Sequence, residues 1–152
     1  MKKLELEGQG SIEYLLMFAL FLTILAAFTI PSMINPARSS SEKIRKVSEA
    51  KVACDQIASS INNITYQENG IDTLGISISG KWTLKIDDSN PPMFRILVRT
   101  DDKKFQVKNE LDYGFDDNVT ISSGDYRIII KHGDDEKINT EEDNVKIILN
   151  PG

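Results

Sequence analysis

Glu13 stands directly before seventeen uncharged residues, Tyr14 to Ile30 (YLLMFALFLTILAAFTI). A carboxylate at the edge of such a run is costly to bury, in lipid or in a protein core, unless it meets a cation or a hydrogen-bond donor. The chemistry it offers is ion pairing rather than turnover. Gln9, Ser11 and Tyr14 are the polar residues around it in the segment EGQGSIEY, which spans 7–14.

The rest of the chain holds no catalytic constellation. Its single histidine, His132, ends a predicted strand beside Gly133 and reads as a solvated surface residue. Alone it makes no metal site, and no nucleophile–base spacing surrounds it. The glycines form no phosphate loop. The acidic stretch 133–137 (GDDEK) and Glu141-Glu142-Asp143 lack the alternating ligands, central Gly and closing Glu of a calcium loop, so they read as solvated charged loops. Trp82 reads as strand packing. Cys54 is the one cysteine, so no intrachain disulfide forms, and it reads as a small apolar helix residue. No enzymatic activity, metal or cofactor is expected.

The elements follow from periodicity. The length fits one small domain plus a helix. Residues 9–30 predict a helix about 30 Å long, enough to cross a hydrocarbon core. Pro31 and Pro36 predict a bend over 31–36, with an irregular or loosely helical stretch between them. A second, amphipathic helix is expected over 37–65, capped by Ser39–Ser41, with a stripe of Ile44, Val47, Cys54, Ile57, Ala58 and Ile61. That stripe should pack on the protein's own sheet. Residues 66–152 predict a β-rich domain, with strands at 74–79, 81–87, 93–99, 104–109, 118–122, 126–132 and 144–149. The continuously apolar RIIIK and KIIL should lie centrally, while TLKI and KFQVK each leave one face wet. The fold class is α+β: a long N-terminal hydrophobic and amphipathic helix packed on a C-terminal antiparallel β-sheet domain.

The formal charge is −5, which disfavours nucleic acid and anionic headgroups as partners. Two sequons, Asn63-Ile64-Thr65 and Asn118-Val119-Thr120, are available for N-glycosylation if this domain is exported. Simpler readings of the apolar run are a secretory signal cut near 31–37, an uncleaved anchor, or a core helix. The last is disfavoured, because a run apolar on all faces has nowhere to hide in a small domain.

Gly8, Gln9, Ser11, Glu13 and Tyr14, followed by the apolar run, resemble the start of archaeal type IV pilins whose precursors carry a class III signal peptide. The resemblance covers about the first 30 residues. It implies a pilin-like fold, a leader of residues 1–8, and cleavage between Gly8 and Gln9 by a prepilin peptidase. Lys2 and Lys3 stay cytoplasmic and the β-domain lies outside. The leader carries Lys2, Lys3, Glu5 and Glu7, which cancel, so the mature chain also holds a formal charge of −5. Cutting frees an α-amino group at Gln9 for the Glu13 carboxylate of its own or a neighbouring chain, with Ser11 and Tyr14 supplying further hydrogen bonds. The partners implied are other pilin subunits through the N-terminal helix, a pilus assembly platform, and the membrane before assembly. The expected product is an adhesive, cell-surface filament. A minor or priming pilin-like subunit and a non-polymerising anchored binding domain are the alternatives.

Overall fold

A computed structural model describes residues 2–67, 69–100 and 103–151, with side chains described throughout except at 2–11 and 33–37. The chain divides into two compact units, Met1–Glu42 and Lys43–Gly152. Helix α1 spans Lys2–Thr65 and so belongs to both.

In the first unit, Ile12–Ser32 is a 21-residue stretch with mean hydropathy 2.2, long and apolar enough to cross a membrane. The helical backbone continues through Pro31 and Pro36, and the residues between them, expected to be irregular or loosely helical, are helical. A proline removes one backbone bond and crowds one carbonyl, but the ladders on either side remain. Close to Pro31, the Ser32 hydroxyl donates to the Thr29 carbonyl at 2.9 Å. Ser39–Ser41 consequently lie inside a running helix and cap nothing.

In the second unit, eight strands follow: β1 (Ile71–Ile78), β2 (Lys81–Asp87), β3 (Met93–Arg99), β4 (Lys104–Glu110), β5 (Asp117–Ile121), β6 (Gly124–His132), β7 (Lys137–Glu141) and β8 (Asn144–Leu149). They form two four-stranded sheets, β1-β6-β8-β7 and β4-β3-β2-β5. All pairs are antiparallel except β6–β8. That parallel pair arises because the chain leaves β6, forms β7 at the sheet edge, and turns back to insert β8 between them. RIIIK and KIIL do lie centrally, in β6 and β8. The helix-first, sheets-after arrangement is the α+β fold the sequence implied.

Strand β7 is a correction, because no strand is expected at Lys137–Glu141, whose two ends fall in acidic stretches read as solvated loops. Its one buried apolar side chain is Ile138. The strand is held by pairing with β8 and by the Ile138 amide, which donates to Asp117 Oδ2 of β5 at 2.6 Å. That bond joins the β5 and β7 edges of the two sheets.

The core is a single cluster. Trp82, Leu84 and Ile86 of β2 and Phe94, Ile96 and Val98 of β3 point inward, as do Ile128 and Ile130 of β6 and Val145, Ile147 and Leu149 of β8. The α1 stripe joins them through Ala50, Cys54, Ile57, Ala58, Ile61 and Ile64. Burial of the stripe is complete only from Ala50 onward. Val47 packs partly against the core, and Ile44, expected in the stripe, is 70% exposed. Polar bonds fix the helix to both sheets. Ser60 donates to Asp72 of β1, and Ser79 donates to Glu49 at 2.5 Å. On the other sheet, Asn109 of β4 donates to Asp55 at 2.9 Å, and Asn62 accepts from the Asp112 amide at 3.0 Å.

Candidate assembly site

The polar motif and the apolar run lie on one helix, so their relative placement is set by helical geometry. Gly8, Gln9, Ser11, Glu13 and Tyr14 all fall within α1. Residues 9 and 13 are four apart, about one turn, and therefore share a face. The side chains of Gly8, Gln9 and Ser11 lie outside the described ones. Glu13 and Tyr14 are exposed, Tyr14 at 79%. Glu13 makes no hydrogen bond or ion pair with a described residue.

Within Ile12–Ser32 every described side chain is exposed. Leu22 is exposed at 47% and Phe28 at 77%. An apolar surface of this extent does not persist in water and needs lipid or other helices around it. Two of the hydroxyls in the stretch are satisfied internally. Thr23 Oγ1 donates to the Ala19 carbonyl at 2.8 Å, and Ser32 to Thr29. Such back-bonding removes the cost of carrying a hydroxyl into an apolar medium. Glu13 is then the one carboxylate of the stretch, which holds no Asp, Lys, Arg or His, and it is placed at the N-terminal edge.

Residues 8–31 match the family model described as Class III signal peptide. This is the signal of archaeal type IV pilins and related proteins. No curated protein and no solved structure matches the chain. The matched stretch begins at Gly8, the expected cut, and ends at Pro31. Together with the apolar helix, this match supports a membrane-anchored precursor.

The remaining candidates fall elsewhere. Asn63 is exposed in the last turns of α1, and Asn118 is exposed on β5, an edge strand. Thr120 of the second sequon shares a hydrogen bond with Thr83 at 3.0 Å. Cys54 is fully buried, its Sγ 3.8 Å from the Phe94 carbonyl, and burial pushes the thiol up to about 12. Trp82 is fully buried in the core. Asp134, Asp135 and Glu136 are exposed before β7. No group of three His, Cys, Asp or Glu able to hold a metal occurs among the described residues. His132 departs from the solvated reading: it is half-buried, and its Nε2 donates to the Ile64 carbonyl at 2.7 Å. Sequence alone could not find that bond, because its partner is 68 residues away.

Proposed function

We propose that the chain is a structural subunit of an archaeal type IV-like surface pilus. In this reading the leader is cut after Gly8, and the mature chain polymerises through its N-terminal hydrophobic helix. The observation that carries it is the coincidence of the Class III signal peptide match at 8–31 with the fully exposed apolar helix Ile12–Ser32. A signal of this kind implies a prepilin peptidase and an assembly platform as partners.

The driving force for assembly is not greater burial, since lipid and a bundle of apolar helices are similarly apolar. It comes from close packing, from the assembly motor, and from polar pairing at the one place where the helix carries charge. Cutting at Gly8 frees the Gln9 amine, and Glu13 is its counter-ion, on its own or a neighbouring chain. Ser11 and Tyr14 serve the same end of the helix. The β-domain then lies outside, where it acts in adhesion without enzymatic turnover, and Asn63 and Asn118 are its glycan acceptors.

Mass spectrometry of sheared surface filaments tests this reading. The expected mature N-terminus is Gln9, free or cyclised, in abundant chains. An intact Met1, or a start near Ala37, would remove the filament helix from the argument. Replacing Gly8 by a bulky residue is expected to block maturation while leaving membrane insertion intact.

A further inference from the structure

Sheet β4-β3-β2-β5 carries two rows of outward-facing cations that are treated differently. At one end, Lys85, Arg95 and Lys108 stand opposite one another on β2, β3 and β4. Lys85 and Arg95 pair with the buried Asp87, with Arg95 Nε 2.7 Å from Oδ2. At the other end, the register sets Lys81 against Arg99, and Arg99 against Lys104. None of these three makes an ion pair or a side-chain hydrogen bond with a described residue. Like charges directly opposite on neighbouring strands destabilise a sheet. Here three stand in a row on an acidic chain with no described counter-ion. They surround a shallow depression whose floor and rim include Thr83, Leu97 and Thr120. Asp101 and Asp102 belong to the adjoining turn and lie outside the described residues.

The opposite end of the same strands has the opposite sign. Asp88, Asp112, Asp116 and Glu136 line one open cleft together with Tyr113 and Phe115. Strand β2, seven residues from Lys81 to Asp87, separates the two ends by about 20 Å. One domain therefore presents a cationic row at one pole and a carboxylate-lined cleft with aromatic walls at the other. Long basic side chains fit such a cleft, since their stems cover aromatic surface while their heads meet carboxylates.

We propose that the Lys81–Arg99–Lys104 row docks into the acidic cleft of a second copy of this chain, head to tail along the strand direction. The contact is heterologous, so it repeats without closing unless the rotation happens to close a ring. It deepens the filament reading and rests on it: the outer domains lock neighbouring subunits by charge while the N-terminal helices form the core. Complementary charge of this kind sets register and partner choice more than raw affinity. It weakens as salt screens it.

The test is zero-length carbodiimide coupling of lysines to carboxylates, on the full chain in membranes and in sheared filaments. Equal parts of chain labelled with nitrogen-14 and nitrogen-15 mark links between copies. The expected products join Lys81 or Lys104 of one copy to Asp112, Asp116 or Glu136 of another, and fall at least tenfold in yield at 1 M salt. K81E/R99E/K104E and D112K/D116K/E136K each lack one set of the groups that couple, so neither alone should link at this contact, and mixing the two should restore coupling between them. The neutral pair K81Q/K104Q serves in place of the first if the reversed row disturbs folding. It removes the reactive amines, so its readout is dissociation of filaments at lower salt than the wild type. Three results overturn the proposal: no coupling when the two reversed chains are mixed, links from the row to Asp101 or Asp102 of the same copy, or retention on immobilised polygalacturonate with no links between copies. Normal filaments from the row-reversed chain would sink this contact and leave the filament reading standing. A wild-type chain that keeps Met1 and forms no filaments would sink that reading instead, and links in membranes would then decide the contact alone.

Discussion

His132 Nε2 lies 2.7 Å from the carbonyl oxygen of Ile64, joining the end of strand β6 to the last turn of helix α1. The last carbonyls of a helix have no partner within it and must find one outside. Ile64 has two, His132 and the Gln67 amide at 2.9 Å. His132→Ala removes one, so the expected loss is about 1 kcal/mol of unfolding free energy, the net worth of one hydrogen bond. Urea unfolding of the two chains measures it. Faster amide exchange confined to the end of α1 should accompany the loss, and His132→Gln, which keeps a donor, should recover part of it.

Asp87 is the charge on which the paired row depends. Its side chain is 10% exposed, against 40% for Lys85 and 31% for Arg95. Breaking a buried ion pair by removing one partner costs about 3–5 kcal/mol, but both cations here retain partial access to water, so about 1–2 kcal/mol is expected for Asp87→Ala. Arg95→Ala should cost less, because Lys85 still neutralises the carboxylate. Chemical denaturation of both variants gives the order, and a smaller loss for Asp87→Ala than for Arg95→Ala would contradict this assignment.

Much of the fold is legible in the sequence because it rests on local pattern. The alternation in β2 and β3 separates Trp82, Leu84 and Ile86 from Lys81, Thr83 and Lys85 without any knowledge of the partner strand. The α1 stripe from Val47 to Ile64 is legible for the same reason. Strand β7 is not, since Ile138 alone gives no period and its pairing comes from β8 and Asp117. Nor is the bond of His132, or the row Lys81–Arg99–Lys104, which exists only once the register of three strands is known. The proposed processing and assembly motif rests on type and spacing alone, its members lying within seven consecutive residues, Gly8–Tyr14.

Cys54 should behave as an inert core residue. Burial pushes its thiol up to about 12 from an ordinary value of 9.0. The folded chain thus holds this proton to a higher pH than the unfolded chain does. The associated stability is whole below about pH 9 and declines as pH rises from there to about 12. Iodoacetamide at pH 8.5 is expected to leave the folded chain unmodified and to alkylate it fully in denaturant. Cys54→Ala should flatten part of the alkaline fall in stability. Rapid alkylation of folded protein would show that the helix stripe opens.

Glu13 is the residue on which the proposed assembly turns. It is exposed, it makes no bond to a described residue, and it is the single carboxylate of Ile12–Ser32. In a simple anchor the carboxylate only burdens insertion, so Glu13→Leu should be neutral or mildly favourable, in line with the cost of a charge in lipid. In a subunit that leaves lipid for a filament, the carboxylate is needed at the moment the Gln9 amine enters the apolar core. Glu13→Leu should then leave expression, insertion and cleavage near normal, and reduce the ratio of filament-associated to membrane-associated chain at least tenfold. Glu13→Gln separates charge from hydrogen bonding: pairing with the amine predicts a defect close to that of leucine, whereas a purely polar role predicts near-normal assembly. Quantitative blotting of sheared filaments against membranes gives the ratio. An unchanged ratio for the leucine variant would remove Glu13 from assembly and favour the non-polymerising anchor.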